Sequence, residues 1–166
     1  MNYLLDSNTL IEAKNRYYRM AVCPAYWAWV QRSHTAGVVA SIEPVGAELR
    51  RGNDELAEWA KGQAGLFLPV SDDATQQAFV RVAAHVASQV ATMKPGALED
   101  FLGGADPWLL AKAMTIPGAV IVTHEQFNPQ TRRKYSIPNV CQAFGVPCID
   151  TFELLGRTDA RFVLAD

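Results

Sequence analysis

Cysteine and histidine are both scarce in this sequence. Its 166 residues hold three cysteines, Cys23, Cys141 and Cys148, and three histidines, His34, His85 and His124. Thiols so few and so scattered make no secreted disulfide framework, and an odd number leaves one over, so a reducing, cytoplasmic setting is expected. None of their separations matches a zinc site. An excess of charge is missing as well: 15 Lys+Arg against 17 Asp+Glu give a formal net charge of −2. Bulk positive charge therefore cannot hold nucleic acid, and any polyanion must be gripped locally. Long apolar runs are absent too. The start, Met1 to Leu5, meets Asp6 before a signal region develops, and no stretch approaches the ~18 uninterrupted apolar residues of a membrane span, so no membrane association is expected.

Apolar residues nevertheless make up 49% of the chain and charged ones 19%, which excludes disorder. A chain of this length buries roughly two-thirds of its surface, enough for one core without a metal or disulfide staple. A single domain over residues 1–166 is the simplest organisation.

Short apolar runs alternate with segments of helical periodicity, the pattern of a parallel sheet covered by helices. The strand candidates are Tyr3 to Leu5, Val38 to Ala40, Leu66 to Leu68, Ala119 to Val122 and Pro147 to Ile149. The clearest helix runs from Asp73 to Thr92, with Phe79, Val82, Val86 and Val90 on one stripe beside Ala83 and Ala87. Others are expected from Glu43 to Arg51, stopping at Gly52, and from an Asn53 or Asp54 cap to about Gly62. Asp106 reads as the cap of a helix through Met114, with Pro107 at the first helical position, and Pro117-Gly118 turns the chain into the next strand. The stretch Tyr17 to Trp29 is unusually aromatic. Its rings pack in the core or form a stacking surface for bases or a partner, with Lys14, Arg16 and Arg19 nearby.

In open parallel sheets the ligand site lies beyond the carboxyl ends of the strands, where strand order reverses. Asp6 directly follows the first strand, and Glu125 follows the fourth after Thr123-His124. Asp106 opens a helix, and Glu48 lies on the helix after the second strand. These four carboxylates can converge on one edge. Converging carboxylates repel, and a divalent cation relieves the conflict. Oxygen-only ligation suits one or two Mg²⁺ or Mn²⁺ ions, which polarise a phosphoryl oxygen, activate water and neutralise a leaving oxygen.

Tyr3-Leu4-Leu5-Asp6-Ser7-Asn8, Ser41 with Glu48-Leu49, Ala105-Asp106 with Leu110-Ala111 and Ala113, and Val122-Thr123-His124-Glu125 together resemble the PIN-domain family. Toxin ribonucleases of bacterial toxin–antitoxin pairs belong to that family. Each motif alone is weak, but four in order on the right element types are fairly specific. The resemblance implies a three-layer α/β fold with four to five parallel strands. It implies a metal-dependent endoribonuclease with Asp6, Glu48 and Asp106 at the acidic positions, Asn8 supporting Asp6, and Thr123 before the last acid. It also implies a cognate antitoxin, and a homodimer is compatible with it. Glu125 departs from the family's usual Asp by one methylene. The chain also carries extra sequence near Tyr17 to His34 and after Glu125, so it resembles a divergent branch.

Each residue has a plainer role available. Asp106 can serve as a cap only, Glu48 can sit on a solvated face paired with Arg50 or Arg51, and Glu43 competes with it locally. Asp6 has the weakest alternative, because a carboxylate directly after an apolar strand needs partners. His124 can carry a proton, touch phosphate or make a local hydrogen bond. Arg132, Arg133 and Lys134 can hold RNA phosphates or remain solvated. Ser41 can orient a ligand or end a strand, and Cys141 and Cys148 read as buried small groups. Two other functions stay open: a non-catalytic RNA- or protein-binding module on the same scaffold, and a haloacid-dehalogenase-type phosphatase. The phosphatase needs a titratable second acid where Asn8 stands.

Overall fold

The computed structural model describes residues 2–165. Five short strands, β1 (Tyr3–Leu5), β2 (Val39–Ile42), β3 (Phe67–Leu68), β4 (Val120–Val122) and β5 (Cys148–Ile149), form one parallel sheet in the order β3-β2-β1-β4-β5. Nine α-helices are found among the described residues: α1 (Ser7–Glu12), α2 (Pro24–Thr35), α3 (Glu43–Arg50), α4 (Glu55–Lys61), α5 (Asp73–Ser88), α6 (Ala97–Gly103), α7 (Asp106–Thr115), α8 (Ile137–Phe144) and α9 (Thr151–Arg157). Every residue of β1 and β4 is buried, as expected of strands covered on both faces. In register, Tyr3, Leu4 and Leu5 oppose Val120, Ile121 and Val122.

The chain leaves β1 in one direction, through β2 to β3, and returns to the other side of β1 for β4 and β5. Right-handed crossovers then place α1–α4 on one face and α5–α8 on the other. Strand order reverses between β1 and β4, the place where such sheets form a ligand crevice, and Asp6 and Thr123 stand at the carboxyl ends of these two strands. The fold is α/β and PIN-like, as the sequence implies.

Most boundaries fall within two residues of the sequence reading, and the differences have local causes. β2 begins at Val39 and extends through Ser41 to Ile42, so Ser41 lies inside a strand instead of ending one. Leu66 closes a 3₁₀ turn (Ala64–Leu66) before β3. Asp54 caps α4 by accepting from the Ala57 amide. The α5 stripe is Ala78, Val82 and Val86; Phe79 is half-buried and stacks on Trp108 of α7 at 3.9 Å. Val90 is 49% exposed, because α5 ends at Ser88 and the 3₁₀ turn Val90–Thr92 rotates it off the stripe. Ala87 is exposed as well. Gly118 takes φ +72°, the left-handed conformation that the turn into β4 requires. Cys141 is buried as expected, whereas Cys148 is only half-buried. Donation of its proton toward Cys148, and then burial, hold the Cys141 thiol well above its ordinary range.

From the aromatic stretch, Tyr26 and Trp27 are core residues at 0% and 5% exposure, stacked with or edge-on to Tyr18 and Trp59. Tyr17 stays outside at 45%. No helix among the described residues is long and apolar enough to cross a membrane.

Candidate active site

Asp6 is the buried centre of the crevice, 1% exposed. It follows β1 and caps α1: Oδ1 accepts from the Thr9 amide at 2.7 Å and lies 2.8 Å from the Thr9 hydroxyl. That hydroxyl, with one proton to give, also lies 3.0 Å from the Val122 carbonyl. On the other side, Oδ2 accepts from the Thr123 hydroxyl at 2.7 Å. Burial raises the Asp6 carboxyl above its ordinary value against the pull of these hydrogen bonds, and the charge of Glu125 adds to the rise. Ser41, fully buried, donates to the Leu5 carbonyl at 2.6 Å and so fixes the end of β1 just before Asp6.

Thr123 is thus one support of the Asp6 carboxylate. Asn8, for which the resemblance implies that role, is exposed, and Thr9 holds Asp6 instead. The reason is helix phase, since the N-cap carboxylate meets the amide three residues on, and that residue also turns its side chain inward. Asp-x-x-Thr is the sequence signal that locates Thr9.

Asp106 is the first residue of α7, and Ala105 stands at the cap position, so the cap reading of Asp106 is corrected. Its carboxyl is pushed up to about 7, by burial first and then by the charges of Glu125, Asp6 and Glu48, with Lys134 opposing. Acids from three other segments therefore act on Asp106. Glu48 reaches across from α3, its Oε1 accepting from the Ala105 amide at 3.1 Å. It thus ties α3 to the residue before Asp106, and no ion pair joins it to Arg50 or Arg51 among the described residues. Arg50 instead lies over the Phe67 ring.

Glu125 acts on Asp106 while both its oxygens are engaged by protein donors. One oxygen pairs with Lys134 and the other accepts from the Ile137 amide at 2.7 Å, at the start of α8. A carboxylate at a helix N-terminus is favourably placed. Lys134 thus pairs with Glu125 while its own side chain stays 63% exposed, and Arg132 and Arg133 of the same loop are exposed as well. His124 turns to Thr151, its Nε2 lying 3.0 Å from Thr151 Oγ1, a partner 27 residues away that no local pattern signals. Beside Glu125, a polar cleft of about 270 Å³ is lined by Thr123, Phe127, Cys148, Asp150 and Glu153.

Among the described residues, no three of His, Cys, Asp and Glu stand ready to enclose an ion. Asp6 and Glu125 have both oxygens engaged by protein donors, Glu48 has one, and Asp106 is the acid most strained by its neighbours. An all-oxygen set of this kind fits a hard cation that keeps much of its water, as Mg²⁺ does, better than a tightly ligated one.

A family model described as a domain of unknown function, DUF4411, matches residues 3–162. The chain belongs to the DUF4411 family. No curated protein matches it. Among solved structures, this DUF4411 chain is similar to the crystal structure of VapBC2 from Rickettsia felis bound to a DNA fragment from their promoter. The TM-score is 0.55 at 11% identity, over 90% of this chain and 98% of that one. At that identity the likeness is one of fold.

Proposed function

We propose that this DUF4411 protein is a Mg²⁺- or Mn²⁺-dependent endoribonuclease and the toxin of a toxin–antitoxin pair. The observation that carries the reading is the placement of four acids at the switch point: Thr123 binds both Asp6 and the Glu125 amide, and Glu48 reaches from α3 to the residue before Asp106. The PIN-like motifs and the likeness in fold to VapBC2 support the toxin assignment and an antitoxin partner.

Asp106, Asp6 and Glu48 would hold the cation, in part through water. Bound there, the ion supplies polarisation of a phosphoryl oxygen and a water acidic enough to attack. The chain's own residues prepare the place. Thr9 and Thr123 lock the Asp6 carboxylate in orientation, and Glu48 fixes Ala105 and hence the start of α7. Lys134, paired with Glu125, brings positive charge to the acids and moderates the repulsion that a phosphodiester meets there. Arg132 and Arg133 grip the strand's phosphates.

The test is incubation of single-stranded RNA with the purified protein in Mn²⁺, followed by analysis of product ends. Attack by water leaves no 2′,3′-cyclic phosphate, and an RNA carrying a 2′-deoxy residue at the cut is still cleaved. Cyclic ends, or no cleavage, would count against the proposal.

One observation favours a second reading, a binding module that holds RNA without cutting it: Glu125 is taken up by Lys134 and the Ile137 amide. RNA binding that persists in EDTA without cleavage in Mn²⁺ selects that reading. The phosphatase reading has no support at position 8, where Asn8 is exposed and does not titrate.

A further inference from the structure

Three aromatic rings stand together at the surface beside the acidic crevice. Tyr17 and Phe152 are 45% and 47% exposed and meet edge-on, their centroids 5.0 Å apart. His124 completes the triangle at 6.0 Å from Tyr17 and 5.9 Å from Phe152. They come from three distant segments, and each is fixed in place locally. Tyr17 ends the π-helical turn Ala13–Tyr17, where the Tyr18 amide reaches the Ala13 carbonyl at 2.8 Å. Such widened turns recur at functional positions. His124 is positioned by the buried Thr151 hydroxyl, one residue before Phe152 on α9. It is also the residue between Thr123, which holds Asp6, and Glu125, so the triangle is joined to the carboxylate segment through this ring. Arg16, exposed next to Tyr17, takes part in none of the ion pairs among the described residues.

Tyr26 and Trp27, from the same aromatic stretch, are buried, so the core does not account for Tyr17 remaining outside. Two or three rings make a patch far smaller than the roughly 800 Å² per partner of a stable protein interface. They are the right size for a base. Every nucleobase has a π-face, and aromatic side chains bind it with little sequence preference. In a duplex those faces are covered by neighbouring bases, so the occupant is single-stranded.

We propose that Tyr17, His124 and Phe152 form a stacking platform for one unpaired base of a single-stranded RNA, beside the carboxylate crevice, with Arg16 on the adjoining phosphate. The proposal deepens the ribonuclease reading and rests on it for the identity of the nucleic acid.

The test is fluorescence anisotropy with a short labelled single-stranded RNA in EDTA, where no cutting occurs. Wild type is compared with Tyr17→Ala, Phe152→Ala and the ring-preserving Tyr17→Phe, each checked for an unchanged melting temperature. Stacking predicts roughly fivefold or greater weakening for each alanine variant and wild-type affinity for Tyr17→Phe. It also predicts that the salt dependence of binding keeps its slope in Tyr17→Ala, because losing a ring releases no counterions. Replacing single nucleotides by abasic ones should weaken wild-type binding at one position only, and by much less in Tyr17→Ala. Equal affinity of wild type and both alanine variants, a flat abasic scan or no RNA binding overturns the platform; the first result would leave the rings as a contact for protein. Cleavage in Mn²⁺, measured on the same RNA, separates the two ideas. Cleavage with a flat abasic scan retains the nuclease and removes the platform, and a position-specific loss without cleavage does the reverse.

Discussion

The Thr123 hydroxyl donates to Asp6 Oδ2 at 2.7 Å across 117 residues of chain, and Thr123 Oγ1 in turn accepts from the Glu125 amide at 3.1 Å. One side chain thus couples the end of β1 to the segment that follows β4. Thr123→Val keeps the shape but leaves a buried carboxylate oxygen unpaired, which costs about 1–3 kcal/mol. Urea denaturation should show that loss, with Thr123→Ser recovering most of it. Equal stability of Thr123→Val and wild type would mean that the bond contributes nothing.

The second prediction concerns pH. The Asp106 carboxyl is raised to about 7 in the fold against 3.8 for its ordinary value. Between those values the native state holds a proton that the unfolded chain has released. Its contribution to stability is therefore complete below about pH 4, is lost as pH rises toward 7, and stays lost above. Each pKa unit corresponds to about 1.4 kcal/mol. Without divalent metal, Asp106→Asn should melt several degrees above wild type at pH 8 and alongside it near pH 4. A difference that does not vary with pH would refute the crowding of charge at Asp106.

Lys134 is a cation whose charge acts on Asp106 and the partner of Glu125. Its removal deepens the negative potential and frees one Glu125 oxygen, so Lys134→Gln should bind Mn²⁺ several-fold more tightly in titration calorimetry. Glu125→Gln should weaken binding less than Asp106→Asn does, because Glu125 is already occupied by protein donors. The opposite ranking would make Glu125 a principal ligand.

A cation that binds the native state alone also stabilises by mass action. Mn²⁺ should therefore raise the melting temperature of wild type and leave that of the Asp6→Asn, Asp106→Asn double variant where it was. Equal shifts in both proteins would place the ion elsewhere.

Much of the frame was legible because parallel strands are short continuous apolar runs: Tyr3–Leu5 and Ile121-Val122 announce themselves, and Pro117-Gly118 marks the turn between α7 and β4. Asp6 was legible for the same reason, as a carboxylate with nowhere to go but the sheet edge. What stayed hidden depended on phase and on distant partners. Whether Asn8 or Thr9 faces Asp6 is set by where α1 begins. The fate of Glu125 is set by Lys134 and by the free amide of Ile137, which no local pattern around residue 125 reveals. Tyr17 separates from Tyr26 and Trp27 only once the π turn and α9 are placed in space.

The most direct measurement is the rate at which the purified protein cleaves a mixed panel of single-stranded RNAs in Mn²⁺, for wild type, Asp6→Asn and Asp106→Asn. The account predicts cleavage by wild type that EDTA abolishes and re-added Mn²⁺ restores, with each substitution lowering the rate by about a hundredfold or more, as loss of a group stabilising charge in the transition state does. Cleavage that survives both substitutions, or that proceeds undiminished in EDTA, would contradict it.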